Sequence, residues 1–523
     1  MKRFELKPAP GSAAELASFA ELQAGLAERF VGFRDDRRSP YTAVVIPSQS
    51  FDPDELAKID GIAHYEERSL FNLMLLRHPH LKVVFVTSKR LSPRIIDYYL
   101  HQIRGVPSEH ARARLCLLDC DDASPRPLTE KILERPRLLQ RIRAAIGEPT
   151  LAHMAVFNST QLERTLAVQL GIPINGCDPR LVSLGHKTGS RRIFAEAGLE
   201  LVPGREGLGT VRELVEALAE LWEEVPATRR MVVKLNDSFS GEGNALLDLG
   251  GLAEVAPGRG GVTPGARREA LARALAELRP EAEGTSAEAF CAKFEVMGGI
   301  CEVWIEGEGK VSPSAQVRIN PERYVHAVST HDQVLGGPSG QVFLGAHFPA
   351  DPSYRLEIQR EALKVGELLA ARGVIGRFGV DFLVIPEPEG GAPRVYAIEI
   401  NLRQGGTTHP FNTLKFLTDG RYDPMTGEFY TAQGRPRAYF ATDNLRAPHY
   451  RGILPIDLLD QLVVDGLHFR ADETGVVFHL LGALSEFGKL GCTIIAPTVA
   501  DADRRYAEVV RFLDAMQDPA PIP

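Results

Sequence analysis

Two apolar stretches near residue 390 constrain the fold most, because oxygen side chains interrupt them at the spacing of a strand. The first stretch, residues 379–385, carries Asp381, and the second, residues 395–400, carries Glu399 and is followed by Asn401. Side chains alternate between the two faces of a strand, so Glu399 and Asn401 project on the same side, about 6.6 Å apart along the chain. We predict that the two stretches form an antiparallel pair joined by a Pro/Gly-rich turn.

The neighbours of these polar residues are hydrophobic and predict which way the oxygens face. Val380, Phe382, Ile398 and Ile400 would face a core, so the oxygen side chains would face a second interior surface. Three oxygen donors there would be costly without a cation. Mg²⁺ bound together with phosphates takes such hard ligands and keeps water in its remaining positions. We therefore predict that Asp381, Glu399 and Asn401 bind Mg²⁺; the alternative is that they are solvated positions of half-exposed strands.

Two lysines earlier in the chain are candidate phosphate ligands. Lys234 ends a β run, and a small loop with Ser240, Gly241 and Gly243 follows it. An ammonium beside loop amides suits phosphate binding, although a glycine-rich hairpin has the same appearance. Lys187 stands ahead of a short helix, in a Gly-His-Lys-Thr segment. The P-loop pattern GxxxxGK[ST] fails there because its first glycine is missing, so we reject a P-loop ATPase.

A third candidate element lies between the lysines and the carboxylates. Residues 289–296 are predicted to form a strand, and Gly298 and Gly299 follow it. A strand end whose backbone meets adenine, with a carboxylate for the ribose hydroxyls, would have this pattern. We predict these contacts at Phe294 and Glu295, while an ordinary hairpin remains the alternative.

The two ends of the chain predict further α/β units. Residues 42–46 and 82–87 are continuous hydrophobic runs typical of buried parallel strands, and helical spacing occurs at 68–76 and 93–103. This alternation predicts a Rossmann-like opening domain, although no GxGxxG turn marks a dinucleotide site. At the other end, β runs at 476–481 and 493–496 predict a separate small α/β unit.

Length and composition bound the possible classes. A chain of 523 residues exceeds one hydrophobic core. We expect a preceding domain at 1–180, a central domain at 181–430 with a surface excursion at 250–268, and a C-terminal domain at 431–523. A net charge of −8 argues against nucleic-acid and anionic-membrane partners. Six scattered cysteines, no apolar segment behind the N-terminal charges and no long apolar run predict a cytoplasmic protein.

The order of these motifs resembles the ATP-grasp superfamily over about residues 180–415. More narrowly, four segments are similar to the peptide ligases that build pheganomycin and its relatives: residues 98–100, residues 329–333, residues 399–407 and residues 478–483. One departure is that Arg403-Gln404-Gly405-Gly406 stands where many ATP-grasp ligases have a Pro-Gly turn. The resemblance implies a Rossmann-like preceding domain, a two-lobed ATP-grasp domain and a small C-terminal α/β domain.

The resemblance also implies a reaction and its cofactors, ATP and Mg²⁺. A substrate carboxylate attacks the γ-phosphate of ATP, and an amine captures the acyl phosphate with release of ADP and phosphate. Lys187 and Lys234 would neutralise the α- and β-phosphates. Arg403, Arg377 and Arg318 are the candidates for facing the tetrahedral intermediate. Arg403 comes first because it lies two residues beyond Asn401.

The sequence leaves the exact reaction and the substrates open. The expected substrates are a small carboxylic acid and an amine, either amino acids or peptides. An ATP-grasp enzyme that phosphorylates its acid or makes a thioester fits the same motifs. A nucleotide-binding regulator without catalysis and a non-enzymatic scaffold also stay open, as does a homo-oligomer.

Overall fold

In a computed structural model, the described residues are 5–516 except 37, 238–242, 283, 308, 337–341 and 387–390. The chain opens with a four-stranded parallel sheet in the order β3-β2-β1-β4. Its strands are β1 (Tyr41–Ile46), β2 (Leu81–Thr87), β3 (Leu115–Asp119) and β4 (Ala152–Val156). Val44 and Val84 are fully buried, as expected for a parallel sheet covered on both faces. The predicted Rossmann-like opening is confirmed.

Short helices surround this sheet. They are α1 (Ala13–Ala24), α2 (Leu26–Asp35), α3 (Pro53–Ala57), α4 (Pro93–His101), α5 (Ser108–Arg112), α6 (Leu128–Leu133), α7 (Pro136–Ile146) and α8 (Gln161–Leu170). A capping box of Thr160 and Glu163 begins α8. The helical spacing at 68–76 belongs to a 3₁₀ helix, Ile62–Arg77.

A five-stranded antiparallel sheet follows, in the order β5-β9-β6-β7-β8. Its strands are β5 (Gly204–Leu208), β6 (Arg230–Leu235), β7 (Asn244–Asp248), β8 (Arg279–Pro280) and β9 (Gly299–Val303). Its helices are α9 (Lys187–Ala197), α10 (Val211–Glu224), α11 (Pro264–Ala274) and α12 (Ala287–Met297). The predicted surface excursion at 250–268 begins with a 3₁₀ helix, Gly250–Val255, and ends inside α11.

The predicted strand at residues 289–296 is wrong, because this segment is helix α12. Phe290 and Phe294 are four residues apart and therefore share one helix face, which is fully buried. Ser286 caps the helix, its side chain accepting a hydrogen bond from the amide of Ala289 at 3.1 Å. The alternation of polar and apolar residues at 293–296 imitates a strand, but the i, i+4 phenylalanine pair decides the structure.

The larger sheet is antiparallel and has eight strands, in the order β14-β13-β10-β11-β12-β17-β19-β18. The first five are β10 (Pro313–Ile319), β11 (Val325–Gly336), β12 (Val342–Phe348), β13 (Gly376–Ile385) and β14 (Arg394–Asn401). A hairpin of β15 (Arg421–Asp423) and β16 (Glu428–Tyr430) lies beside it. The last three are β17 (Ala438–Arg446), β18 (Gly475–His479) and β19 (Lys489–Ala496). The helices are α13 (Arg355–Ala371), α14 (Thr408–Thr418), α15 (Pro455–Val464), α16 (Leu484–Phe487) and α17 (Val499–Ala515).

The C-terminal strands do not form the separate sheet predicted from the sequence. Strand β17 pairs with β12, with Tyr439 opposite Phe348, so the C-terminal strands continue the central sheet. One hydrophobic core joins the two regions to the opening domain and contains Phe85, Phe411 and Phe478. Pairing β17 with β12 satisfies backbone groups that two separate sheet edges would leave open. The apolar run at 476–481 is buried in this shared core.

Two further observations concern the hydrophobicity of the helices and the state of the cysteines. Among the described residues, no helix has the length and hydrophobicity to cross a membrane. All six cysteines are free thiols.

Candidate active site

Six residues that the sequence analysis selected separately line one cavity of about 250 Å³ between the two antiparallel sheets. They are Lys187, Lys234, Asp381, Glu399, Asn401 and Arg403. We call this space the cleft cavity. It brings oxygen donors and cations together within one partly enclosed space, which is the arrangement that a metal-phosphate complex requires.

The oxygen donors come from neighbouring strands in fixed register. Asp381 of β13 is directly opposite Glu399 of β14, and Asn401 is opposite Gly379. Their hydrophobic neighbours Val380 and Ile400 are fully buried on the other face, as the sequence predicts. The amide of Asn401 donates a hydrogen bond from Nδ2 to Oδ2 of Asp381 at 2.9 Å.

The facing carboxylates make this wall of the cavity a candidate cation site. Burial, and then the negative charge of Glu399, raise the pKa of Asp381 to about 7. Two carboxylates and one amide oxygen are donors that Mg²⁺ accepts, and a bound cation would relieve the repulsion between Asp381 and Glu399.

The two lysines are both buried, and each forms an ion pair. Lys187 is the first residue of α9, and its ammonium contacts Glu399. Lys234 of β6 lies 2.7 Å from Glu302, which also contacts Arg191 at 2.6 Å. Although burial opposes ionisation, the charges of Lys234 and Arg191 hold the pKa of Glu302 below its usual value. Both lysines thus line the cleft cavity, and each is held there by a carboxylate.

The sequence analysis left Gln333, which lines this cavity, unassigned and missed Glu302, the partner of Lys234. Gln333 donates a hydrogen bond from Nε2 to Oδ1 of Asp381 at 3.0 Å, so it joins the oxygen cluster. Its neighbours point elsewhere: His331 is paired with the Tyr439 hydroxyl at 2.7 Å, and Asp332 accepts from the Tyr354 hydroxyl at 2.7 Å. Glu302 could have been suspected as an acid inside a hydrophobic strand that follows the lysine strand.

Three other predicted nucleotide contacts, at Phe294, Glu295 and Gly243, are not among the described residues that line this cavity. Phe294 is buried inside α12, and Glu295 accepts a hydrogen bond from the amide of Val211 at 2.8 Å. The carbonyl of Gly243 accepts from the amide of Leu235 at 2.9 Å in the β6–β7 hairpin. Ser240 and Gly241 lie outside the described residues. The five-stranded sheet gives way to the eight-stranded sheet between β9, which ends at Val303, and β10, which begins at Pro313.

Comparison with known proteins decides the family. The chain is 32% identical over 483 residues to the L-propargylglycine--L-glutamate ligase of Streptantibioticus cattleyicolor, covering 90% of this chain and 94% of that protein. This chain belongs to the ATP-grasp peptide ligases of the pheganomycin type. It is accordingly an ATP-dependent carboxylate–amine ligase.

Further similarities cover parts of this ATP-grasp ligase or its fold. Residues 181–256 and 272–425 match the family described as IQCH-like, ATP-grasp, and residues 457–509 match the PGM1 C-terminal domain. The ligase is 23% identical over 431 residues to the IQ motif-containing protein H of Danio rerio, covering 74% of this chain and 40% of that protein.

Solved structures support the fold of the ligase. A biotin carboxylase from Campylobacter jejuni in complex with β-γ-ATP superimposes with a TM-score of 0.54 at 13% identity, covering 92% of this chain and 96% of that one. The biotin carboxylase domain of Hydrogenobacter thermophilus 2-oxoglutarate carboxylase, crystallised with MgADP, gives a TM-score of 0.52 at 13% identity, with 91% and 94% coverage. These similarities confirm the predicted two-lobed architecture.

The three candidate arginines of the ligase all line a second cavity of about 410 Å³ beside the opening domain. Arg403 lines the cleft cavity as well, whereas Arg318 and Arg377 do not. We call this second space the cationic cavity. Arg318 and Arg377 are directly opposite each other on β10 and β13, and Lys415 of α14 is a further lining residue. The lining residues that the structure describes include no aspartate or glutamate.

The electrostatics of the cationic cavity favour a bound anion. Burial, and then the charge of Arg318, lower the pKa of Arg377. Burial, and then the charges of Arg377 and Arg318, lower the pKa of Lys415 to about 8. The two cavities touch, because Arg403 and Phe157 line both.

Proposed function

We propose that this ligase uses Mg²⁺ and ATP in the cleft cavity to activate a small acid, an amino acid or a peptide, for attack by an amine. The observation that carries the proposal is the convergence of Lys187, Lys234 and the oxygen cluster around Asp381 in one cavity. Phosphoryl transfer depends mainly on positioning and on charge neutralisation, and these side chains supply both.

Within this proposal each side chain has a role. Asp381, Glu399 and Asn401 hold Mg²⁺, which supplies charge neutralisation to the phosphate oxygens. Lys187 and Lys234 take the phosphate oxygens, exchanging contacts with Glu399 and Glu302 for contacts with the nucleotide. This exchange leaves Glu399 free to face the metal.

Arg403 is proposed as the group that faces the tetrahedral intermediate. Its position between the two cavities supports this role. The reacting carboxylate must reach the phosphates in the cleft cavity while the rest of the acid lies in the cationic cavity. A fixed guanidinium there stabilises the developing oxyanion more in the transition state than in the ground state.

The cationic cavity is proposed as the binding site for the acid substrate. Arg318, Arg377 and Lys415 would hold a carboxylate of the substrate that does not react, because no described acid neutralises them there. The volume of about 410 Å³ suits an amino acid or a short peptide. This arrangement favours an acid with a second negative group over a monocarboxylic acid.

The test is a screen of amino-acid pairs with ATP and Mg²⁺, read out by product mass and by the nucleotide formed. We expect ADP and a product one water lighter than the sum of its two substrates. ADP with a product that forms without any amine would favour acid phosphorylation. A screen in which no acid stimulates ADP formation would contradict the proposal. A matched pair of acids, with and without a second carboxylate, tests the role of the cationic cavity.

We also propose that the ligase is cytoplasmic, which is supported by six free cysteines. Comparing the cytosolic and membrane fractions of the native host with an antibody to the ligase tests this.

A further inference from the structure

Three metal-ligating side chains converge outside both cavities, from three separate segments of the chain. His409 is the second residue of α14, Asp443 lies in β17, and His479 is the last residue of β18. All three are buried, with exposed fractions of 5%, 7% and 3%. One potential ligand atom from each lies within 4.8 Å of the other two.

In this triad of His409, Asp443 and His479, the two imidazole nitrogens and one carboxylate oxygen lie close to one another. Nε2 of His479 lies 2.7 Å from Oδ1 of Asp443 and 3.0 Å from Nε2 of His409. Nε2 of His409 lies 3.4 Å from the same Oδ1. The two imidazole nitrogens and the carboxylate oxygen are therefore all within 3.4 Å of one another.

Protons satisfy at most two of the three contacts, because each imidazole nitrogen presents either one hydrogen or one lone pair in the ring plane. If both Nε2 atoms carry hydrogen, both can donate to Oδ1 of Asp443, and the 3.0 Å contact between the two nitrogens has no hydrogen bond. If Nε2 of His409 carries none, its lone pair faces the carboxylate oxygen. If Nε2 of His479 carries none, the same conflict arises at 2.7 Å. A cation between the three atoms accepts all three lone pairs.

The geometry fits such an ion. Three ligand atoms at about 2.0–2.2 Å from one metal, with angles of roughly 90–110°, lie about 2.8–3.5 Å from one another. Within the triad, the distances of 3.0 and 3.4 Å lie in this range, and the 2.7 Å distance lies just below it. Two imidazoles and one carboxylate suit Zn²⁺ and other first-row transition metals, whereas the oxygen donors of the cleft cavity suit Mg²⁺.

The surroundings hold the ligands in place. Arg68 donates a hydrogen bond from Nη1 to Oδ2 of Asp443 at 2.8 Å, which leaves Oδ1 for the ion. Gly491 is opposite His479 in the sheet, and a Cβ there would collide with Nε2 of the imidazole. Asp443 lies at an irregularity in the pairing of β17 with β19, between Thr442 and Leu445. Supporting contacts of this kind fix ligand orientation in metal sites.

We propose that His409, Asp443 and His479 bind one divalent transition-metal ion, with Zn²⁺ preferred. The ion joins α14, which follows the strand of Glu399 and Asn401, to the C-terminal strands β17 and β18. Through Asp443 it also orients Arg68, which lines the cleft cavity. The ion is thus a brace between the C-terminal strands and the active site, separate from the Mg²⁺ that acts on ATP.

The test measures metal in the full-length ligase, purified without a histidine tag. Metal-free protein is incubated with Zn²⁺ and excess Mg²⁺-ATP, desalted and analysed by elemental mass spectrometry. We expect about one Zn²⁺ per chain, and at least a tenfold lower content in His409→Gln and in His479→Gln. His347→Gln is the matched control, because His347 forms a 2.7 Å pair with Asp503 without a third ligand, and it should keep the metal. Glu399→Gln should keep it as well, because it alters the Mg²⁺ site alone.

Titration of the wild-type protein with Co²⁺ keeps the proposal testable if a variant does not fold. The proposal predicts visible d–d absorption that saturates at one equivalent and is lost on adding Zn²⁺. A wild-type protein that retains less than a tenth of an equivalent of Zn²⁺ would overturn it. Variants that bind Zn²⁺ as well as the wild type would overturn it too. None of these readouts depends on ligase activity.

Discussion

The cleft cavity and the cationic cavity lie along the same face of the larger sheet but differ in charge. Every second side chain of a strand points to the same face. Along β13 these positions include Arg377 and Asp381, which therefore project from one face, about 13 Å apart. At the Asp381 end every lysine faces a carboxylate, whereas the Arg377 end has cations without a described acid. Paired charges suit a ligand that brings both phosphates and a metal, and unpaired cations suit a simple anion. The difference indicates which part of the reaction each end serves.

The largest effect should follow loss of the Glu399 charge. This residue lies at the Asp381 end, called here the paired end because every lysine there faces a carboxylate. Glu399→Gln keeps the size of the side chain but removes a proposed metal ligand and the partner of Lys187. We expect kcat to fall by about 10³-fold or more, with little change in thermal unfolding. Steady-state ADP release measures it. Glu295→Gln on α12 is the control and should stay within about twofold, because a glutamine can still accept from Val211. Near wild-type turnover of Glu399→Gln would show that the metal assignment is wrong.

A smaller loss should follow removal of a lysine that is proposed to bind phosphate. Lys234→Met should lower kcat/KM for ATP by about 10²-fold, because a buried ammonium no longer meets the phosphates. Lys293→Met, which loses only an ion pair with Glu55 on the surface, should change it little. Nucleotide titration with a parallel thermal scan distinguishes the two. Equal effects would mean that β6 does not face the nucleotide.

The cationic cavity should respond differently from the cleft cavity. Arg377→Met should raise KM for the acid by about 10-fold or more and leave KM for ATP unchanged. The melting temperature should stay the same or rise, since the change removes a like charge opposite Arg318. Arg372→Met, in a surface pair with Glu196, is the control. If ATP binding weakens while acid binding does not, the roles of the two cavities are exchanged.

The smallest effect concerns pH. Lys415 is charged below its pKa of about 8 and loses its charge above it, because burial and then Arg377 and Arg318 lower that pKa. An anionic acid should therefore bind more weakly as pH rises through about 8, with KM increasing a few-fold at saturating amine and ATP. Lys415→Gln should flatten this dependence. An unchanged profile in the variant would remove Lys415 from the acid site.

The sequence predicts the paired end well because strand alternation is a local property. Asp381, Glu399 and Asn401 follow a two-residue period, and a strand pair places them on one face wherever it lies in the fold. The strand predicted at 289–296 is wrong, whereas the β run predicted at 476–481 is strand β18 but does not belong to a separate sheet. In the first, two phenylalanines at helical spacing outweighed a short alternating pattern. In the second, the apolar run was recognised, but its partner strand β19 continues a sheet built from distant residues.

The cationic cavity and the metal-ligating triad could not be predicted, because both depend on contacts between distant segments. Arg318 faces Arg377 across a strand pair separated by 59 positions in the chain, and Lys415 comes from a helix beyond it. Likewise, His409 and His479 meet only because β18 joins the central sheet. Single histidines and arginines carry no local pattern that would distinguish these positions from surface residues.

The most direct test of the central claim is a crystal structure with ADP and Mn²⁺, located by anomalous scattering, together with the acid found in the screen. The account predicts a metal peak between Asp381, Glu399 and Asn401, phosphates at Lys187 and Lys234, and the acid at Arg318 and Arg377. Phosphates on Arg318 and Arg377, with no metal between Asp381 and Glu399, would contradict it.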